Sequence, residues 1–357
     1  MIFVQYISAY LKSICLLRTL VSVRNIESYG VCINKMVYVG YDGNPTPLKY
    51  FIPTKSSKHT LLIYPGASPS GEDHEKLHTL GIAFSRIGYE VYIPRIPPLK
   101  QLIITEEVNE WMAHFYSWFL DEKQIDSNNV SIIGISFGGS MVLKTSLVES
   151  VRRRSPRTLF SYGTYFHFKS VLDFLYSGKI EKDGKTINIA TDNWALVGLI
   201  YNYLPKVDVG FSTKILVATL RDYIQEKDKN VSEALKDLSN NERQIWDDIV
   251  DGNLSTEIKR IINVFQKECA TEFENYSPKL WGSQVTNKVY ILHGTYDNMV
   301  PFTESVKLAN VLPNSVLHIT DLYSHKEFSL GGKLIHIIKE SIGLLRFLSK
   351  FIRDTIY

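Results

Sequence analysis

The sequence predicts an α/β fold: a doubly wound, mostly parallel sheet with a helical cap inserted into it. Three observations carry this. Short, mostly apolar runs such as Thr60–Tyr64 and Val130–Ile135 read as strands covered on both faces. They alternate with segments whose apolar residues step at helical spacing, the pattern of successive βα units. The alternation stops near Phe166 and resumes near Lys288, with a mainly helical stretch between.

Taken in order, two β-rich runs, Val31 to Val39 and Leu48 to Ile52, flank Asp42-Gly43-Asn44-Pro45, a strand–turn–strand signature. Thr60–Tyr64 is the next strand and ends in the loop Pro65-Gly66-Ala67-Ser68-Pro69-Ser70-Gly71. Leu77, Leu80, Phe84 and Ile87 mark the buried face of a helix, with Gly88 where a C-cap belongs. Tyr89 to Ile93 is a strand stopped by prolines. Val108, Trp111, Met112, Phe115, Trp118 and Phe119 form the apolar face of a second helix. Val130–Ile135, a helix over Gly138 to Ser150, and a strand over Thr158 to Tyr162 complete the first half. The insertion reads as helices over Trp194 to Leu204, Val231 to Leu238, Arg243 to Val250 and Glu257 to Phe273, with Lys214 to Thr219 an ambiguous β-like run. Lys288 to His293, a helix over Thr303 to Leu312, Ser315 to Thr320 and a helix from Gly331 to about Ile352 close the fold. The domain layout is therefore an N-terminal helix (1–28), a body (29–165 and 285–357) and a helical insertion (166–284).

Composition narrows the function classes. Forty Lys+Arg against 37 Asp+Glu leave a net charge of +3 in 357 residues, which speaks against nucleic-acid binding driven by bulk charge. The densest basic cluster, Arg152-Arg153-Arg154 with Arg157, reads as a solvated helix end. At 45% hydrophobic and 22% charged the chain is a folded globular protein. Its three cysteines, Cys15, Cys32 and Cys269, are odd in number, widely spaced and without zinc-ligand spacing. A reducing, cytoplasmic setting is the simpler expectation.

The first 23 residues are mostly apolar and contain no acid, but Lys12 and Arg18 interrupt them. No stretch reaches the length needed to span a bilayer. The charges follow the apolar run, the reverse of a signal peptide. Gln5, Ser8, Lys12, Thr19 and Ser22 recur near helical spacing and predict the polar face of an amphipathic helix. Lys12, Arg18 and Arg24 would be available to anionic headgroups. Peripheral membrane contact through residues 1–23 and packing on the protein's own surface both fit.

The chemistry centres on Gly134-Ile135-Ser136-Phe137-Gly138-Gly139, a G-x-S-x-G sequence between an apolar strand and a helix. Small residues let that turn tighten and raise Ser136 Oγ above the carboxyl ends of the strands. A serine hydroxyl needs a base to take its proton, and a histidine base needs an acid to orient it. Asp297, in His293-Gly294-Thr295-Tyr296-Asp297, follows one strand; His325, in Tyr323-Ser324-His325, follows the last. Asp321 is a rival acid. His74-Glu75-Lys76-Leu77-His78 is a formal H-E-x-x-H zinc-peptidase motif, but both histidines point away from the helix's buried face.

On the elbow 134–139, the acid turn around Asp297, the His325 loop and the strand order, the chain resembles the α/β-hydrolase superfamily of serine hydrolases. The resemblance implies a Ser136–His325–Asp297 triad, a lid formed by the insertion, and no metal or cofactor. It implies an oxyanion hole built from the N–H of Phe137 plus one from the loop after Thr60–Tyr64. There Ala67 or Gly66 would donate, since Pro65 cannot, and the His-Gly that opens this loop in many members is absent. Aromatics at the insertion's entry (Tyr165, Phe166, Phe168, Phe174, Tyr176) and in its first helix (Trp194, Tyr203) suggest an apolar roof and a small lipophilic acyl substrate. Ester, thioester and amide remain open, as does a ligand-binding member without catalysis.

Overall fold

Five short strands are buried along most of their length, which is what a sheet covered by helices on both faces demands of its sequence. The computed structural model describes residues 2–21, 31–53, 58–182, 184–322 and 334–357. Its main sheet comprises β1 (Cys32–Val39), β2 (Pro45–Ile52), β3 (Thr60–Tyr64), β4 (Glu90–Pro94), β5 (Val130–Ile135) and β6 (Thr158–Tyr162), then β9 (Val289–Gly294) and β10 (Ser315–Thr320). A separate hairpin, β7 (Lys179–Lys182) and β8 (Lys185–Asn188), lies between them in sequence. The strand order is β1-β2-β4-β3-β5-β6-β9-β10. Only β2 runs antiparallel to its neighbours; β4-β3-β5-β6-β9-β10 are parallel. This architecture is the α/β-hydrolase fold.

On one face of the sheet, α2 (Glu75–Arg86) and the C-terminal helix Leu334–Ile356 pack with α1 (Ile2–Val21) over Phe51, Leu61, Ile63, Val91, Ile133 and Tyr290. The other face is covered by α3 (Pro97–Lys100), α4 (Glu107–Lys123), α5 (Phe137–Thr145) and α6 (Glu149–Arg153), with Trp111, Phe115, Phe119 and Met141 at the centre. Helix α4 ends in a left-handed Gln124 and α5 begins on Ser136. The predicted helix over Gly138 to Ser150 is thus two helices, broken at Ser146–Val148, and its far end carries the basic cluster. There Arg152 and Arg153 pair with Glu149, Arg154 pairs with Asp121, and Arg157 donates to the Asp354 carbonyl.

Between β6 and β9 lie α7 (Phe168–Ser177), the hairpin, α8 (Asn193–Tyr203), α9 (Lys214–Ile224), α10 (Asp228–Ala234), α11 (Asn240–Asp251), α12 (Thr256–Glu268), α13 (Ala270–Tyr276) and α14 (Pro278–Trp281). The ambiguous run at Lys214 is helical: Leu216, Thr219, Leu220 and Ile224 are buried at helical spacing, so packing overrides its β-branched residues. Helix α11 starts with a complete capping box, Ser239 with Glu242, and ends at the left-handed Gly252. The insertion's entry and exit meet, because Lys279 N donates to Phe166 O at 3.0 Å. Helix α15 (Phe302–Val311) and α16, the Leu334–Ile356 helix, complete the body.

Helix α1 forms as the sequence predicts, but its orientation does not follow. The inward face is mixed: Ala9, Ser13, Leu16 and Thr19 are fully buried, while Gln5, Ser8 and Lys12 of the predicted polar stripe are half-buried at its flank. Thr19 Oγ1 donates to Cys15 O at 2.8 Å and accepts from Arg86 at 2.7 Å. Lys12 also turns inward, and burial lowers its pKa. Of the basic residues expected to face headgroups, Arg18 is exposed and Arg24 lies outside the described residues. No described helix is long and apolar enough to cross a membrane, and all three cysteines are unpaired.

Candidate active site

Strand β5 turns into α5 within one residue, and that residue is Ser136. Its backbone sits at φ +53°, ψ −125°, a region that ordinary side chains avoid and that is held only where surroundings over-determine it. The surroundings are glycine-dependent. A Cβ on Gly134 would lie 2.5 Å from Gly138 O, and one on Gly138 would lie 2.2 Å from Pro65 O. Ser136 N donates to Tyr162 O at 2.7 Å, fastening the turn to the end of β6, and Gly139 N donates back to Ser136 O at 2.9 Å. Gly138→Ala must push the loop at Pro65 away from the elbow. It is expected to cost about 1–3 kcal/mol of stability, as overpacking does, read as a lowered urea midpoint, and to disturb the site even where the protein folds.

The loop after β3 lies on this elbow. A Cβ on Gly66 would stand 3.2 Å from Ser136 Cβ and 3.0 Å from Ile135 O, so Gly66 brings its backbone against the serine because it has no side chain. Phe137, first residue of α5, leaves its N–H at a helix N-terminus, where no intrahelical acceptor exists. Gly66, Ala67 and Phe137 are thus all close in chain or in space to Ser136. The loop itself is pinned from behind. Ser68 N donates to Leu99 O at 3.0 Å, and the buried Glu72 accepts from Arg95 Nε at 2.7 Å. Burial alone would raise the Asp73 carboxyl, but hydrogen bonds and charge from Lys49 and Lys100 bring its pKa down to about 2.

Asp297 occupies the turn after β9 and is buried. Its Oδ1 accepts from Met299 N at 2.9 Å and Val300 N at 2.8 Å, which fixes the carboxylate's plane. Its Oδ2 is 3.2 Å from His293 Nε2. The i,i+4 spacing of His293 and Asp297 is the sequence signal for this contact. His293 Nε2 also lies 2.9 Å from Val300 O, which can only accept, so this nitrogen carries a hydrogen. Nδ1 sits 2.6 Å from Ser305 Oγ. A fully buried imidazole with both nitrogens engaged braces the acid turn and is not placed to exchange protons with a substrate.

Ser136 and the Asp297 turn stand at one edge of the sheet. They are separated by β6, whose following Gly163 donates to Leu292 O at 3.0 Å. The turn is tied to the last strand as well, since Thr295 N donates to Thr320 O at 2.9 Å. Asp321 follows directly and donates its N–H to Glu340 at 3.2 Å. His325 lies outside the described residues, so its place relative to Ser136 and Asp297 is not described.

Other described histidines are spoken for. His114 Nε2 contacts Val39 O, His167 pairs with Glu274, and His318 stacks on Phe347. The H-E-x-x-H motif does not make a two-histidine helix face. His74 precedes α2 as its N-cap, accepting from Lys76 N at 3.2 Å, while His78 leans edge-on against Phe51 at 5.3 Å. Among the described residues there is no cluster of three or more His, Cys, Asp or Glu able to hold a metal ion.

The insertion reaches this edge. Asp192 N donates to Asn298 O at 3.0 Å in the acid turn, and Asn202 bridges Leu102 O and Ile104 N beyond β4. Glu304, fully buried, takes the N–H groups of Phe166 and His167 at 3.2 and 2.8 Å, fixing where the insertion leaves the body. Phe137 stacks on Tyr165 with ring centres 6.0 Å apart. Tyr203 is not at a pocket wall: it is fully buried, with Phe273, Phe265 and Phe168 around its ring. Trp194 is half-buried beside Tyr223.

Compared by sequence, the chain matches no protein-family model and no curated protein. By shape it is similar to the Pyrococcus horikoshii acylaminoacyl peptidase (13% identity over 86% of this chain and 44% of that one, TM-score 0.48). It is similar to a Pyrococcus furiosus esterase (12%, 92% and 94%, 0.48) and to the Mycobacterium smegmatis proline iminopeptidase (11%, 90% and 99%, 0.47). The chain spans less than half the length of the peptidases of the first kind, 44% and 41% in two structures. These likenesses add nothing to what the strand order already gives.

Proposed function

We propose that this chain, an α/β-hydrolase by fold, is a serine hydrolase that cleaves a lipophilic carboxylic ester through Ser136, His325 and Asp297. The observation that carries the reading is the backbone of Ser136. A serine held at φ +53° on a strand-to-helix turn, between two glycines that admit no Cβ, is strained without benefit to the fold. A nucleophile elbow needs that strain, because it lifts Oγ clear of the sheet.

In the mechanism, His325 takes the Ser136 proton as Oγ attacks the acyl carbon, and Asp297 holds the imidazole and stabilises its charge. Asp297 suits the task, because two backbone N–H groups hold Oδ1 in place. The tetrahedral oxyanion is met by Phe137 N–H and by Ala67 or Gly66 N–H. The N-terminal end of α5 adds a favourable partial charge. His325 then protonates the leaving alcohol, and water hydrolyses the acyl-enzyme by the same route. Thioesters and amides could be turned over by the same groups. Fluorophosphonate labelling followed by peptide mapping tests the reading directly. Modification at Ser136 together with turnover of p-nitrophenyl esters supports it, and no label at Ser136 in folded protein overturns it.

The insertion, residues 166–284, is proposed as a lid over this site. Its contact with the acid turn through Asp192 supports that placement. Trp194→Ala, two residues beyond that contact, is expected to shift kcat/KM along a p-nitrophenyl ester series by about 1–3 kcal/mol for the longer chains, leaving acetate little changed. Tyr203→Ala should behave differently. It removes a buried ring from the insertion's aromatic core and is expected to destabilise the fold by about 3–5 kcal/mol, the range for large aromatic truncations. An unchanged profile for Trp194→Ala would separate the insertion from substrate choice.

A further inference from the structure

We propose that the outward face of α1, with the adjoining side of α16, docks on an anionic bilayer at the end of the molecule remote from Ser136. The first observation is an apolar helix face left open. A surface helix normally buries its apolar stripe and shows water its polar one. In α1 Ala9, Ser13, Leu16 and Thr19 are buried, and Phe3, Val4, Ile7 and Leu11 stand 75%, 67%, 46% and 61% exposed. These four share one side of the helix by their three- and four-residue spacing.

The second observation is the charge around that face. An open groove of about 580 Å³ runs between the two helices, floored by apolar and aromatic side chains of α1 and edged by Arg346, Lys350 and Arg353 of α16. Arg353 lies 4.4 Å over the ring of Tyr6. Helix α1 has no acidic residue. Of the two acids of α16, Glu340 accepts from Asp321 N, and Asp354 accepts from Lys288 and Tyr290 and also pairs with Arg353 at 3.3 Å, which among the described residues leaves Arg346 and Lys350 as the free cations of the rim. An apolar strip rimmed by cations matches the acyl boundary and phosphates of an anionic leaflet. A second copy of the chain fits less well. A two-fold contact through this face would bring Arg346 and Lys350 of each copy toward the same residues of the other.

The third observation is position. Ser8 Oγ is 2.7 Å from the hydroxyl of the C-terminal Tyr357. Gln5 and Tyr6 line a cleft with Thr158 and Lys288, at the starts of β6 and β9. Ser136 follows β5, parallel to these strands, and so lies at the opposite edge, beyond a sheet about 16 Å deep for five residues. Docking by α1 therefore holds the protein at a membrane while the Ser136 edge faces the aqueous side.

The test is flotation of the full chain with phosphatidylcholine vesicles, with and without 30% phosphatidylserine, for the wild type, Ile7→Ser/Leu11→Ser and Arg346→Gln/Lys350→Gln. The wild type should float only with the anionic vesicles. Removing two cations should weaken binding about 30-fold, and the serine pair should abolish it, with thermal unfolding of both variants near the wild type. Equal binding to neutral vesicles, no binding to either, or undiminished binding by both variants would overturn the proposal. So would a wild-type dimer in sedimentation equilibrium that Ile7→Ser/Leu11→Ser turns into a monomer, because the face would then belong to a second copy.

Discussion

Ser136→Ala is expected to lower turnover by about 10⁶, the loss seen when one member of a triad acting as a unit is removed. The fold should survive. The serine side chain is half-buried, and the bonds that fasten the turn, Ser136 N to Tyr162 O and Gly139 N to Ser136 O, are backbone bonds that alanine keeps. Alanine inherits the strained φ of +53° without relieving it, so the melting temperature should change little. Substrate affinity should change little too, because the hydroxyl matters in the transition state far more than in the ground state. The measurement is kcat on the best p-nitrophenyl ester beside an unfolding curve. More than a tenth of wild-type turnover in folded Ser136→Ala would sink the assignment of the nucleophile. Gly138→Ala offers a contrast. It leaves the hydroxyl in place and moves the loop that Gly66 presses on Ser136, so it should lose stability and activity together.

What could be read from the sequence was what local pattern decides. Thr60–Tyr64 and Val130–Ile135 are apolar at nearly every position because both sheet faces are covered, and their bounds were legible to the residue. The elbow was legible because its steric demand sits within six consecutive residues, 134–139. Features set by distant partners were not. The spacing of α1 shows two stripes but not which is inside. That is decided by Arg86 reaching Thr19 across 67 positions and by α16 lying against the helix. The hairpin of Lys179–Lys182 and Lys185–Asn188 has too few apolar residues to alternate visibly. Lys214–Ile224 carries Ile, Leu and Val in succession, yet its burial repeats at helical spacing once it meets the rest of the insertion. Tyr203 looked like pocket material because an aromatic residue in a helix has the same appearance facing a ligand or facing Phe273. At the site, Asp297 was found from its turn, whereas the brace of His293 and Ser305 required the strand and α15 to be brought together.

Asp297→Asn is the second large effect, about 10⁴ in turnover if the carboxylate orients His325, because an amide favours the wrong imidazole tautomer. The surroundings of Asp297 add a structural cost to the catalytic one. Oδ1 is held by the N–H groups of Met299 and Val300, so the amide oxygen of asparagine must occupy that position. The NH₂ group then takes the place of Oδ2, 3.2 Å from His293 Nε2, which already carries a hydrogen because it faces Val300 O. Two donors cannot satisfy each other, so the variant should also lose about 1–3 kcal/mol, the penalty of an unpaired buried polar group. The two effects separate by measurement. Adding His293→Gln to Asp297→Asn offers an amide oxygen to the new NH₂ and should recover part of the melting temperature. It cannot return the rate, since the orienting carboxylate is still missing. Asp321→Asn is the control: with Asp297 as the orienting acid, it should leave turnover within about tenfold of the wild type. A larger loss in Asp321→Asn than in Asp297→Asn would move the acid from the turn after β9 to the end of β10.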